Sequence, residues 1–195
     1  MGLVATLALL PLVYGAGCLA IAAAVVLAKW VVIGRYRPFV RPLWTPMIWR
    51  LEFVNALYEF LTTPLVLGAL QGTPFLPWYL RLLGSRIGRR VYLHTTGFLE
   101  WDLVNVADGA AINDDAVLQT HLFEDRVLKA SRLRIGKNCV VGAASVVLYD
   151  SIMEDEARLD ALSLLMKGER LPAGTAWAGI PAVWSDAHDS STLQF

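Results

Sequence analysis

The sequence predicts a mixed fold in which apolar membrane helices are followed by short parallel strands wound with a period of six residues. Three observations carry that prediction. Met1–Ala28 contains no Asp, Glu, Lys, Arg or His. From Ile135 to Trp177 every sixth residue is apolar. The stretch LQTHLFEDRVLKASRLRIG, residues 118–136, interrupts the period and brings a histidine and two acids with it.

The 195-residue chain is 56% hydrophobic and 17% charged, with a mean hydropathy of +0.50, more apolar than a solvated globule of this size requires. Its formal net charge is zero, so it lacks the basic surplus that neutralises phosphates, and nucleic acid is set aside as a partner. Cys18 and Cys139 fall in no CxxC or Cys/His spacing, which indicates neither a disulfide framework nor a zinc cluster.

At about 1.5 Å per helical residue the charge-free run crosses a hydrocarbon core of about 30 Å. We therefore read Leu3–Ile33 as a transmembrane helix, with residues 1–34 as the first segment. A cleaved signal peptide starts basic and is shorter, whereas here the first positive charge, Lys29, follows the run. A buried helix of a soluble protein is the competing reading. Pro11, Gly15 and Gly17 are tolerated in lipid, and a small-residue face lets another membrane helix pack closely.

Residues 35–86 read as a connector and a second membrane-associated helical segment. Arg35, Arg37, Arg41 and Arg50 stand among Tyr36, Trp44 and Trp49, the mixture found at a lipid–water interface. Residues 51–83 are apolar but broken by Glu52, Glu59, Pro64, Pro74 and Pro77, so they span, re-enter or lie in the interface. Arg81, Arg86, Arg89 and Arg90 match the four arginines before the segment, and the positive-inside rule does not fix its orientation. We adopt incomplete crossing, with both arginine groups on the cytoplasmic side. Glu52 and Glu59, seven apart, share a helix face that points at a headgroup, an arginine or a groove, or is simply solvated.

The repeat runs Ile135, Val141, Val147, Met153, Leu159, Leu165, Leu171, Trp177. Four residues after the first seven come Cys139, Ser145, Ser151, Ala157, Ser163, Glu169 and Thr175, small in all but one case. A helix needs apolar spacings of three and four and a leucine-rich repeat a period above twenty, whereas short parallel strands stacked about 4.8 Å apart fit six. The phase returns earlier as Ile87, Leu93 and Leu99, then slips to Val106, Ile112 and Leu118, with Ala110 and Ala116 in small slots. Between Leu118 and Ile135 we expect a loop projecting from a corner.

This pattern resembles the hexapeptide repeat of the left-handed parallel β-helix, three hexapeptides to a triangular coil, and assigns residues 87–184 to that fold. Many enzymes of the hexapeptide family are acyltransferases that work in the cleft between neighbouring β-helices, with a histidine base on an extended loop. The resemblance makes His121 the general base, with Glu124 and Asp125 close behind it and Glu100 and Asp102, in FLEWDLV, one coil earlier. Imidazole titrates near neutral pH, as a base for an attacking amine or hydroxyl must, and a nearby carboxylate holds its tautomer. The competing readings are a polar loop with Arg126 and Lys129, and an exposed strand edge. LPAGTAWAGIPAV resembles the family's closing motif. There Gly179 and Pro181 turn the chain, and with Trp177, Gly142 and Ala143 they are implied to meet a pantetheine arm, or serve only as a structural terminator.

Nearly the whole chain resembles the membrane-bound terminal region of nonribosomal peptide synthetases of the ε-poly-lysine synthetase type. The stretches that carry this are GTPFLPWYLRLLGSRIGRRVYL, LQTHLFEDRV, VVGAASVVLYD and LSLLMKGERLPAGTAWAGIPA. It implies amide (isopeptide) bond formation from a thioester on carrier-bound phosphopantetheine or on coenzyme A, without a metal. It also implies as partners membrane lipid, carrier and adenylation domains in cis or trans, and β-helix domains of the same kind in a homotrimer or pseudo-trimer. The location implied is the cell membrane, with the β-helix in the cytoplasm. Two departures stand out: there is no adenylation domain or carrier serine motif, and MEDEARLD replaces glycine-rich hexapeptides, which predicts a distorted coil at Met153–Asp160. A non-catalytic scaffold or oligomerisation module is the alternative. A γ-class carbonic anhydrase shares the fold but needs three histidines converging on zinc, and here these are His94, His121 and His188. Residues 185–195 are polar and out of phase, and are expected to be disordered.

Overall fold

The computed structural model of the chain describes residues 3–185, so the tail beyond Ser185 and His188 lie outside the described residues. Helix α1, Leu3–Ala28, continues through a π turn at Lys29–Ile33. Among the described residues it is the one helix long and apolar enough to cross a membrane. Leu12, Val13, Leu19 and Leu27 are exposed along it. Nothing lies within 4 Å of a Cβ placed on Gly15 or Gly17.

The region after the connector is broken into short pieces: α2, Pro46–Leu57, a π turn at Tyr58–Thr62, and α3, Phe75–Leu83. Proline lacks a backbone donor and suits the first turn of a helix: Pro64 lies in the short helix Thr63–Leu65 and Pro74 directly precedes α3. Gly84, at φ 117°, closes α3. These pieces grip the end of α1: the Tyr79 hydroxyl donates to Ala22 O at 3.2 Å and Trp30 Nε1 to Leu82 O at 2.8 Å.

Residues 86–178 wind into a three-sided parallel solenoid. The first wall stacks Arg86–Ile87, Val104–Val106, Leu133–Ile135, Ile152–Met153 and Arg170–Leu171. The second stacks Tyr92–Leu93, Ala111–Ile112, Val140–Val141, Arg158–Leu159 and Ala176–Ala178. The third stacks Gly97–Phe98, Val117–Gln119, Val146–Leu148 and Leu164–Leu165. Every pair within a wall is parallel and in register, so each apolar residue of the period stacks on its equivalents and seals a dry core. Ile135, Val141, Val147, Met153, Leu159, Leu165 and Leu171 are all buried, and so are Cys139, Ser145, Ser151, Ala157 and Ser163 in the small slots. Val183–Ser185 folds back antiparallel onto Ala176–Ala178 and ends the solenoid, so Ser185 belongs to a strand rather than to the tail.

Four further sequence expectations change. The inward residue after Leu93 is Phe98, stacked on Leu118, and not Leu99. Thr95 Oγ1 donates to Ala116 O at 2.7 Å and accepts Gly97 N–H at 3.0 Å, which tightens this corner by one residue. The coil at Met153–Asp160 is regular, because the corner demands a left-handed backbone at every sixth residue and not glycine as such. Asn138, Ala144, Asp150, Glu156, Leu162, Gly168 and Gly174 all have φ between 52° and 76°. In the acidic coil, Asp155 Oδ1 supports the turn by accepting Lys137 N–H at 2.8 Å.

The third and fourth changes concern the interruption. Residues 121–130 form a β-hairpin, His121–Glu124 against Val127–Ala130, instead of an irregular loop. Asp125 and Arg126, both left-handed, make its two-residue turn. The connector is more than an interfacial link, for Phe39–Pro42 adds a third strand to the hairpin, with Phe39 opposite Ala130.

Candidate active site at the base of the hairpin

His121 is the first residue of the hairpin, where the chain leaves the corner between the third and first walls. One coil below, the same corner holds Glu100, Trp101 and Asp102. Glu100 takes φ 37°, ψ 60°, and Trp101–Leu103 follow as a 3₁₀ turn. A non-glycine residue in that region costs about 1–3 kcal/mol and persists only where its surroundings hold it. Here the strained backbone turns the Glu100 carboxylate inward, where it is fully buried.

His121 is 7% exposed, and its Nδ1 lies 2.8 Å from Glu100 Oε2. The Thr120 hydroxyl donates to the same oxygen at 2.5 Å. A carboxylate only accepts, so in the neutral imidazole Nδ1 carries the proton and Nε2 keeps the lone pair. Nε2 makes no hydrogen bond to any described residue, and Phe123 packs edge-on against the ring at 5.4 Å. Burial pulls the imidazole pKa down, but the hydrogen bond and charge of Glu100, with a smaller contribution from Glu52 on α2, outweigh it and hold it above its ordinary value. Glu100 Oε1 is buried and meets no donor among the described residues. The arrangement is a buried imidazole with a carboxylate orienting it from behind.

The other residues singled out in the sequence do not converge here. Glu124 lies on the opposite face of the hairpin strand, as two-residue alternation requires, and pairs with Lys167 and with Lys129 at 3.1 Å. Those lysines hold its carboxyl below the usual carboxylate range. Asp125 sits in the turn with its side chain 88% exposed, 3.5 Å from Lys129. Asp102, which would share a face with Glu100 in a strand, is swung the other way by the 3₁₀ turn. Its Oδ2 accepts Lys29 Nζ at 2.7 Å and Tyr36 N–H at 3.0 Å, tying α1 to the solenoid.

Gly142 and Ala143 lie at the corner between the second and third walls, a full wall away from His121 within one chain. A Cβ on Gly142 would strike the backbone nitrogen of Ala161, so coil stacking alone demands glycine there. Ala143 O accepts Leu162 N–H at 2.9 Å. Trp177 donates from Nε1 to Thr175 Oγ1 at 2.9 Å, Gly179 N–H bonds Ser163 Oγ at 3.0 Å, and Pro181 is exposed at the open end. His94 pairs with Asp114 at 3.1 Å on another corner. One contributor went unnoticed in the sequence, Thr120, hidden beside the histidine in LQTHLF, and the seven-residue spacing of Glu52 to Glu59 gave no sign that the Glu52 charge acts on His121.

No family model matches the chain. A curated protein, the delta-poly-L-ornithine synthetase of Acinetobacter baumannii (strain AB307-0294), is 46% identical over 182 residues, 93% of this chain and 13% of that protein. The chain thus spans about an eighth of the length of the curated relative it matches. Solved structures similar to it in part include a maltose O-acetyltransferase from Clostridium difficile 630, with TM-score 0.44 and 15% identity over 56% of this chain and 73% of that one. A soybean serine acetyltransferase apoenzyme has TM-score 0.43 and 16% identity over 68% and 61%. A hexapeptide-repeat acetyltransferase from Vibrio cholerae has TM-score 0.43 and 13% identity over 57% and 78%.

Proposed function

We propose that the chain is a membrane-anchored acyl- or aminoacyl-transferase domain, a left-handed β-helix held at the membrane by α1, that forms amide bonds from a thioester. The observation that carries this reading is the buried contact between His121 Nδ1 and Glu100 Oε2 at 2.8 Å. With Nδ1 held by the carboxylate, Nε2 takes a proton from an amine as its nitrogen attacks the thioester carbonyl carbon. The carbon–nitrogen bond forms, the carbon–sulfur bond breaks, and the imidazolium returns its proton to the departing thiolate. The Glu100 charge stabilises that imidazolium. Glu100 Oε1, without a donor among the described residues, is an acceptor that an amine N–H would satisfy.

The similarity to a delta-poly-L-ornithine synthetase supports a diamino acid as acceptor and a larger assembly as the working unit. In this reading the thioester sits on carrier-bound phosphopantetheine, with coenzyme A as the other donor, and adenylation is supplied by further domains in cis or trans. Gly142, Ala143, Trp177, Gly179 and Pro181 lie a wall away from His121, so a pantetheine arm along them reaches the base of a neighbouring β-helix. The active unit is then a trimer or pseudo-trimer at the cytoplasmic face of the cell membrane.

The test is His121→Ala in the full chain, given an ornithyl pantetheine thioester and free ornithine, with amide product measured by mass spectrometry. Loss of a general base lowers turnover by about 10²–10⁴-fold, with membrane fractionation and oligomeric state unchanged. Product formation at the wild-type rate leaves a non-catalytic scaffold as the explanation.

A further inference from the structure

On the opposite side of the same corner, a cleft of about 620 Å³ opens between the connector and the outer face of the first wall. Arg35 and Arg37 line it from the connector, Arg86 and Arg134 from the wall, and Arg132 from the link between the hairpin and the wall. The register explains the crowding. Arg86 and Arg134 both stand opposite Asn105, one coil below and one above, so parallel stacking sets two outward guanidiniums in one column about 10 Å apart. Stacking like charges this way does nothing for the solenoid.

Two carboxylates line the cleft against these five guanidiniums. Asp102 is committed to Lys29 and the Tyr36 amide, with Arg35 Nε 3.7 Å away. Asp150 accepts from Ser131 Oγ at 3.3 Å. Arg37, Arg86, Arg132 and Arg134 form no ion pair among the described residues. Guanidinium is the side chain whose planar fork fits phosphate oxygens two at a time. Several of them in one recess, unneutralised, make a site for a phosphate ester.

The place of the cleft selects the ester. Arg35 and Arg37 follow directly on the last turn of α1, which ends at Ile33, and Gly84, at the end of α3, completes the rim. Trp30, Trp44 and Trp49 are exposed nearby in the chain, as in the aromatic belts that mark headgroup depth. We propose that the arginine cleft binds the phosphodiester of an anionic phospholipid and thereby fixes the height and tilt of the solenoid, and hence of His121, above the membrane. This rests on α1 being the anchor but not on the chemistry at His121.

The experiment uses the full chain in neutral detergent, titrated with dihexanoyl phosphatidylglycerol, dihexanoyl phosphatidylcholine and coenzyme A, in wild type and R132Q/R134Q. Both substituted arginines are exposed on the outer face, so circular dichroism and the thermal midpoint should match wild type. Phosphatidylglycerol is expected to bind wild type more tightly than phosphatidylcholine, and to bind R132Q/R134Q at least about tenfold more weakly, each lost phosphate contact reducing the salt dependence. Equal binding of phosphatidylglycerol to both proteins overturns the proposal. Binding of coenzyme A that depends on Arg132 and Arg134, with no binding of phosphatidylglycerol, also overturns it and gives the cleft to the thioester donor. Release of wild type from membranes by alkaline carbonate would defeat the anchor reading while leaving an arginine-dependent affinity for phosphatidylglycerol as evidence of the anion site.

Discussion

Glu100 and Asp102 are two residues apart on one corner, both buried, both paired with a nitrogen within 3 Å, yet they belong to different parts of the molecule. Glu100 faces His121, an imidazole whose pKa it raises and whose Nε2 makes no hydrogen bond among the described residues. Asp102 faces Lys29, a cation that is fully buried in the π turn ending α1 and lies 3.5 Å from the Trp30 ring centroid. In the proposed function the first pair moves a proton, whereas the second holds a helix in place. What separates them is a left-handed residue followed by a 3₁₀ turn, and the difference teaches that one corner can aim two neighbouring carboxylates at partners of different chemistry, an imidazole and a lysine.

The sharpest way to break the comparison is to remove each acid in turn. Asp102→Ala leaves Lys29 buried without a partner, and a broken buried pair costs about 3–5 kcal/mol. Chemical denaturation should show that loss. Lys29→Met with Asp102→Leu should recover most of it, because an apolar pair of similar volume replaces a buried ion pair at little cost.

A smaller effect is expected from Glu100→Gln, and it depends on pH. The folded protein holds the His121 pKa above its unfolded value, so in the window just above about pH 6.5 it binds more protons than the unfolded chain. This contribution to stability is fully present below that window and is lost as pH rises through the folded pKa. Glu100→Gln should therefore flatten the decline in thermal midpoint between wild-type measurements at low and high pH in that range. If the two proteins decline in parallel, the contact is not electrostatic.

The smallest effect is predicted for the acids that sequence proximity favoured. Glu124→Ala and Asp125→Ala remove contacts to exposed lysines, which contribute little. Turnover and thermal midpoint should stay at wild-type values. A large loss of turnover in Glu124→Ala would return it to the site.

The solenoid was legible because its signal is periodic and local: an apolar residue every six positions fixes which side chains face in, whatever else the chain does. The corner was not, because its requirement is a backbone conformation that Asn138, Ala144, Asp150, Glu156, Leu162 and two glycines all satisfy. His121 stood out as the histidine in the interruption of the period. Its true partner was harder to separate from its sequence neighbours, since Glu100 lies 21 residues away and is aimed by one unusual φ, while Glu124 and Asp125 are near in sequence but turned elsewhere. The strand Phe39–Pro42 was hidden for a related reason: its arginine and proline fit an interfacial connector, and only pairing with a hairpin about 90 residues on makes it a strand.

The most direct test of the assigned base is the pH dependence of a single turnover, wild type against Glu100→Gln, with saturating thioester. With His121 as the proposed base, neutral imidazole is the active form, so wild-type rate should rise with pH through the elevated His121 pKa and then level off. In Glu100→Gln burial is opposed only by the smaller contribution of Glu52, so the rise should move to lower pH while the plateau falls by about ten- to a hundredfold. A rise that stays at the same pH in both proteins would mean that the titrating group is not His121 held by Glu100.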